Sequence, residues 1–300
     1  MTDVPAHTIV VGVDGSETSD RAVAWAAEQA RLEDRDLTLV HATGIVGTAA
    51  LLWMDQAGVD SGLAMDGIRQ DAEALLQEAA DRVAELAPEV RVRGVVAELD
   101  PRDALLELAP EAAMLVVGSR GRGPVASLLL GSVAHALSRH PACPVVILRP
   151  AEPSVVRRGV LVGVDEHGTS TRALAFAYRQ ASLRRQPLRV VHCIFDVRAP
   201  SGDVGPAEAG YDAERLLLSE TVSGMAEEYP DVDATAVLTR GLVDRTLVRL
   251  GEEAELVVVG THEQGPVSGL VHGRTASIVA EQSSSIVVVV PEPPVDRRDT

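Results

Sequence analysis

Short runs of β-branched and other apolar residues recur along the chain, and the stretches between them carry apolar positions at helical spacing. In the first half this pattern predicts strands near residues 8–13, 37–42, 90–97, 113–118 and 144–148, with helices near 18–34, 66–87, 101–111 and 132–139. In the second half it predicts strands near 158–164, 187–194, 232–238, 255–260 and 285–290, with helices near 169–184, 208–229, 242–252 and 274–283. The strand runs lack polar alternation, as expected where helices cover both faces of a sheet. Strands alternating with helices mark βαβ units, so the expected class is α/β with two mostly parallel five-stranded sheets. The stretch Gly44 to Gly62 is too long for an ordinary strand-to-helix connection and reads as a candidate flap.

The two halves are copies of one another. Val10-Val11-Gly12-Val13-Asp14 recurs as Leu161-Val162-Gly163-Val164-Asp165, and Leu39-Val40-His41 as Val190-Val191-His192, both at an offset of 151. Leu115-Val116-Val117-Gly118 recurs as Val257-Val258-Val259-Gly260 at an offset of 142, and Pro144-Val145-Val146-Ile147 is echoed by Ser285-Ile286-Val287-Val288 at 141. A repeat of this length predicts two domains, over residues 1–150 and 156–291, with Pro150 to Arg157 as the linker.

Composition narrows the chemistry. All 27 basic residues are arginine, so lysine Schiff bases and the P-loop lysine are excluded. The net charge is −17, divided as −10 and −7 between the halves, and neither half offers the basic face that nucleic-acid binding requires. The chain has seven aromatic residues, too few for a stacking platform on single strands. No apolar run approaches the ~20 residues of a membrane span, and the protein is expected to be soluble and cytoplasmic. Cys143 and Cys193 form no metal or disulfide pattern and read as buried small hydrophobes. His41 and His192, at equivalent strand ends, read as a shared structural feature, and the other histidines show no metal-ligand spacing. Ser16 and Ser132 have no evident triad partners.

One constellation carries candidate chemistry. After the fourth strand run comes Gly118-Ser119-Arg120-Gly121, then nine residues, then Gly131-Ser132 opening a helix. A glycine-rich turn can aim several N–H groups into one concavity, and a helix N-terminus adds free amides and a positive dipole end. Ligands of parallel sheets sit beyond the carboxyl ends of the strands, which puts Asp14 at the same crevice, where a carboxylate can accept from ribose hydroxyls or hold a divalent ion.

This Gly-x2-Gly-x9-Gly-Ser pattern, with the tandem repeat, resembles the universal stress protein family in its tandem, ATP-binding form. The resemblance implies two Rossmann-like domains of the adenine-nucleotide alpha-hydrolase-like type, with ATP, and Mg with it, as ligand. Carried onto this chain, it sets Val13 and Asp14 near adenine and ribose, and Ala42 as a backbone contact to adenine. Val117, Gly118, Ser119, Arg120 and Gly121 border ribose and phosphates, and Gly131, Ser132 and Val133 bind the phosphate tail. It also implies pairing through the last strands, Val145 to Leu148 and Ile286 to Val290, and makes a further homodimer an expectation.

The second copy departs from the pattern. It reads Gly260-Thr261-His262-Glu263, nine residues, then Gly273-Arg274, and Asp165 is followed by Glu166-His167. A carboxylate at Glu263 replaces the second glycine and sets like charge beside a triphosphate. The expectation is one working nucleotide site, in the first half, serving a regulatory protein. A slow Mg-dependent ATPase and a ligand-free interaction module stand as the alternatives.

Overall fold

Runs of valine, isoleucine and leucine with no charge between them have few ways to leave water except as the central strands of a covered sheet. Both halves of the chain take that route in the computed structural model, which describes residues 5–44, 61–121, 130–150, 152, 154–165, 170–194, 202–206, 208–262 and 272–293. The chain divides into two compact units, residues 1–137 with 141–150, and residues 138–140 with 151–300.

The first unit runs β1 (Ile9–Gly12), α1 (Glu17–Glu33), β2 (Leu37–Ala42), α2 (Ser61–Leu86), β3 (Val92–Ala97), α3 (Pro101–Leu108), β4 (Met114–Gly118), α4 (Ser132–Arg139) and β5 (Val145–Leu148). The strands lie in the order β3-β2-β1-β4-β5, and every pairing is parallel. Ile9, Val10, Val11, Leu115, Val116, Val145, Val146 and Ile147 are fully buried, each such side chain contributing about 1.5–3 kcal/mol relative to exposure. The chain order reverses direction at β1 and β4, whose carboxyl ends therefore open a crevice.

Helix boundaries follow local chemistry. The Ser16 side chain accepts a hydrogen bond from the Ser19 amide and caps α1, while Asp34 ends the helix in the left-handed conformation at φ 51°. The buried residues of α1 include Ala22, Val23, Ala26, Ala27 and Ala30, small side chains that let the helix lie close to the sheet, together with the larger Trp25 and Gln29. Asp100 caps α3 and Pro101 occupies its first turn, where a missing N–H costs nothing.

The second unit runs β6 (Val160–Val164), α5 (Thr171–Arg184), β7 (Leu188–Ile194), β8 (Gly202–Asp203), α6 (Asp212–Glu228), β9 (Ala234–Arg240), α7 (Val243–Gly251), β10 (Leu256–His262), α8 (His272–Gln282) and β11 (Ile286–Glu292). Its parallel core has the order β11-β10-β6-β7-β9, repeating the first unit. A sixth strand, β8, which sequence periodicity does not predict, pairs antiparallel along the outer edge of β9. Two residues, one of them glycine, are too few to show a period.

Two further differences from the expected elements have plain causes. Helix α2 begins at Ser61, five residues before the predicted start, although Gly62 and Gly67 weaken its first turns. The capping residue of α5, Ser170, makes no side-chain cap bond. Glu292, at the end of β11, reaches across instead: its carboxylate accepts from the Arg172 amide at 3.0 Å and the Ala173 amide at 2.7 Å. A negative group at a helix N-terminus is favourably placed, which accounts for a carboxylate only 4% exposed. The candidate flap falls mostly on residues 45–60, outside the described residues.

Candidate functional site

A cleft of about 610 Å³ opens at the carboxyl ends of β1, β2 and β4 in the first unit. Ten of the eleven residues nominated from sequence line it: Val13, Asp14, Ala42, Val117, Gly118, Arg120, Gly121, Gly131, Ser132 and Val133. Ser119 does not line it. Its side chain is fully buried, its amide donates to the Leu148 carbonyl at 2.8 Å, and its carbonyl accepts from the Gly131 amide at 2.7 Å. Ser119 therefore belongs to the wall behind the cleft, where it clamps the two ends of the glycine-rich segment together.

The floor is built from the turn after β1. The Asp14 carboxylate accepts from the Ser16 amide at 2.9 Å, and the Asp14 amide donates to the Ser19 hydroxyl at 3.1 Å, so the side chain is fixed by its own turn. Gly15, at φ +71°, supplies the left-handed residue that this turn needs. The hydroxyls of Thr18 and Ser16 both donate to the Arg120 carbonyl, tying the first turn of α1 to the loop after β4.

The glycines of this loop have different jobs. A Cβ on Gly118 would meet Thr18 Oγ1 at 2.5 Å and the Thr18 carbonyl carbon at 2.9 Å, so the missing side chain admits α1 to the sheet. Gly118 borders the cleft with its backbone, and its missing side chain serves packing. At Gly121 a Cβ would collide with Asp14 Oδ2, so here the missing side chain leaves the carboxylate lying against the loop. At Gly131 a Cβ would come within 3.3 Å of the Ser119 carbonyl, and the Gly131 carbonyl accepts from the His135 amide to begin α4. The amides of Ser132, Val133 and Ala134, which lack partners earlier in the helix, are then at the cleft wall.

Sequence reasoning missed part of the lining. Pro101 and Leu105 of α3 form one side, with Gly12, Ser19 and Val40 at the base and Ala134 beside the α4 terminus. The Asp100-Pro101 pair that starts α3 was a readable signal, since it marks a helix N-terminus directly after a strand. His41 also lines the cleft, and its Nδ1 donates to the Val13 carbonyl at 2.7 Å. His192 Nδ1 does the same to Val164 at 3.2 Å, so the paired histidines do share a structural role. Cys143 is buried, with its thiol pushed up to about 12 by desolvation. Among the described residues no group of three or more His, Cys, Asp or Glu could hold a metal ion.

In the second unit Gly260, the counterpart of Gly118, faces Glu292: a Cβ there would lie 3.1 Å from Glu292 Cγ and 3.2 Å from Oε1. The space serves the α5 cap described above. Glu166, His167 and Glu263 lie outside the described residues, as does the side chain of Arg274.

The family model described as Universal stress protein family matches residues 5–149 and 157–291, one copy on each half. A universal stress protein of Mycolicibacterium smegmatis is 32% identical over 293 residues, covering 95% of this chain and 97% of the relative. Universal stress protein Rv2623 of Mycobacterium tuberculosis is 34% identical over 292 residues, covering 95% and 96%. Among solved structures, a universal stress protein from Archaeoglobus fulgidus superposes with a TM-score of 0.69 at 18% identity, covering 96% of this chain and 97% of that one, which shows a shared fold. Family match and full-length relatives agree, and the chain belongs to the universal stress protein family in its two-domain form.

Proposed function

We propose that this protein binds one ATP, with its Mg²⁺, in the cleft of the first unit and serves as a nucleotide-dependent regulator in the stress response. The observation that carries the reading is the closeness of Asp14 to Gly121 beside the N-terminus of α4. Free amides and a helix dipole suit phosphate oxygens, and the carboxylate suits a ribose hydroxyl or a cation bound between it and a phosphate. Magnesium is usually held by one or two carboxylates plus substrate phosphates and water, and Asp14 fits the first of these. The cleft volume, about 610 Å³, is in the range of small-molecule sites. None of the lining residues stands out as a base for an attacking water, which favours a binding role over turnover.

In this reading the protein works in the cytoplasm as a homodimer, with adenine nucleotide as its ligand and neither nucleic acid nor membrane as a partner. The test is to denature freshly purified protein and quantify released nucleotide by chromatography and mass spectrometry. One ATP per chain is expected, and Asp14→Ala should reduce it at least tenfold with the melting temperature little changed. A purified protein that carries no nucleotide and shows no thermal shift with added ATP and Mg²⁺ would overturn the proposal.

A further inference from the structure

The second unit repeats the first so closely that the same three positions can be compared side by side. In the first unit Ala42 of β2 and Ala97 of β3 are in-register neighbours, and Ala104 lies on α3 above them. Their counterparts by the repeat offsets are Cys193 of β7, Thr239 of β9 and Thr246 of α7, and Cys193 and Thr239 are again in register. Adjacent parallel strands present in-register side chains on the same face of the sheet. Three methyl groups in one unit are thus a thiol and two hydroxyl-bearing side chains in the other.

The larger groups also fill more of the space between sheet and helix. Cys193 at the end of β7 has the Thr246 hydroxyl of α7 as a neighbour that favours its thiolate against the upward push of burial, whereas its counterpart Ala42 borders an open cleft. Thr239 is fully buried beside it. A second observation points the same way. At Gly12 a Cβ would meet Leu105 through Cδ1 alone, at 3.2 Å, whereas at Gly163 it would meet Leu247 Cδ1, Cδ2 and Cγ at 2.9, 3.3 and 3.6 Å. The branched end of Leu247 therefore packs more closely on Gly163 of β6 than Leu105 does on Gly12 of β1.

We infer that the second unit is closed to a purine base, and that Cys193, Thr239, Thr246 and Leu247 close it. This rests on the reading that the base enters the first cleft beside Ala42. It places the loss of the second site at the base end, independently of the altered residues at the phosphate end. Burial pushes the Cys193 thiol up to about 11, so the thiol stays neutral at cellular pH.

Adenosine is the probe, because it has no phosphates and leaves the phosphate end out of the measurement. Equilibrium dialysis counts adenosine on the full-length protein, and hydrogen exchange of peptides covering residues 188–194 and 243–251 localises it. Wild type should bind one adenosine with no protection in those peptides. Cys193→Ala/Thr239→Ala/Thr246→Ala should bind two, with new protection there. Protection in the wild type, or a folded triple variant without the second adenosine, would overturn the inference. Should the triple variant not fold, the reciprocal Ala42→Cys/Ala97→Thr/Ala104→Thr is expected to weaken adenosine binding to the first unit at least tenfold, and unchanged binding in a folded protein would count against the idea. If wild type binds nothing in its first unit the proposed function fails, while a gain at residues 188–194 and 243–251 in the triple variant still upholds this inference.

Discussion

Gly118 and Gly121 sit three residues apart in one motif and answer to different forces. Gly118→Ala drives a methyl into the Thr18 backbone, and overpacking of that kind costs about 1–3 kcal/mol, so this variant should melt several degrees lower whether or not nucleotide is present. Gly121→Ala pushes only against the end of the Asp14 side chain on an exposed loop. It should leave the melting temperature of the apo protein within a degree or two and lower ATP affinity at least tenfold, measured by calorimetry. Equal stability losses in the two variants would contradict this division. The sequence showed that a glycine was needed at each position but not why, because the reason is a neighbour about 100 residues away in each case: Thr18 for one, Asp14 for the other. The burial of the Ser119 side chain was hidden on the same ground, since a motif position says nothing about which way a side chain turns.

At the scale of elements, α3 ties stability to the cleft, because Pro101 and Leu105 line it and Asp100 holds the helix start. The Arg102 guanidinium, and after it the Arg102 amide, hold the Asp100 carboxyl down at about 2. A carboxyl lowered by folding adds stability above its unfolded value, about 3.9, and loses it as the pH falls through the folded one. Asp100→Ala should therefore cost about 1 kcal/mol at pH 7, and in urea titrations the gap from wild type should narrow between pH 4 and pH 2. A gap that stayed constant to pH 2 would rule out the carboxylate as its source. The central strands β1, β4, β5 and β6 were legible in the sequence because each is an unbroken apolar run whose burial leaves little choice of place. β8 and the Glu292 cap were not, since both depend on a partner strand or helix far along the chain.

For the molecule as a whole, a net charge of −17 opposes the approach of an anionic ligand. Screening shortens the reach of that repulsion to about 8 Å at physiological ionic strength from about 30 Å at 0.01 M. The association rate of ATP, followed by stopped flow, should therefore rise as salt is raised from 0.01 to 0.15 M, and a rate that fell would mean that local positive charge near Arg120 dominates. The tandem plan was readable from the repeat alone, whereas the asymmetry of the two units was readable only in part. Glu263 stood out by its charge, but the alanine-to-cysteine and alanine-to-threonine differences gain meaning only once strand register brings them together.

The clamp between the Ser119 carbonyl and the Gly131 amide, 2.7 Å long, fixes both ends of an eleven-residue excursion without reference to what lies between them. Closing a loop grows dearer only with the logarithm of its length, about 0.6 kcal/mol for each doubling. Foreign sequence inserted between Gly121 and Leu130, whose flanks the clamp already holds together, should accordingly cost little stability, which makes that segment the place for this protein to carry a tetracysteine or split-reporter peptide.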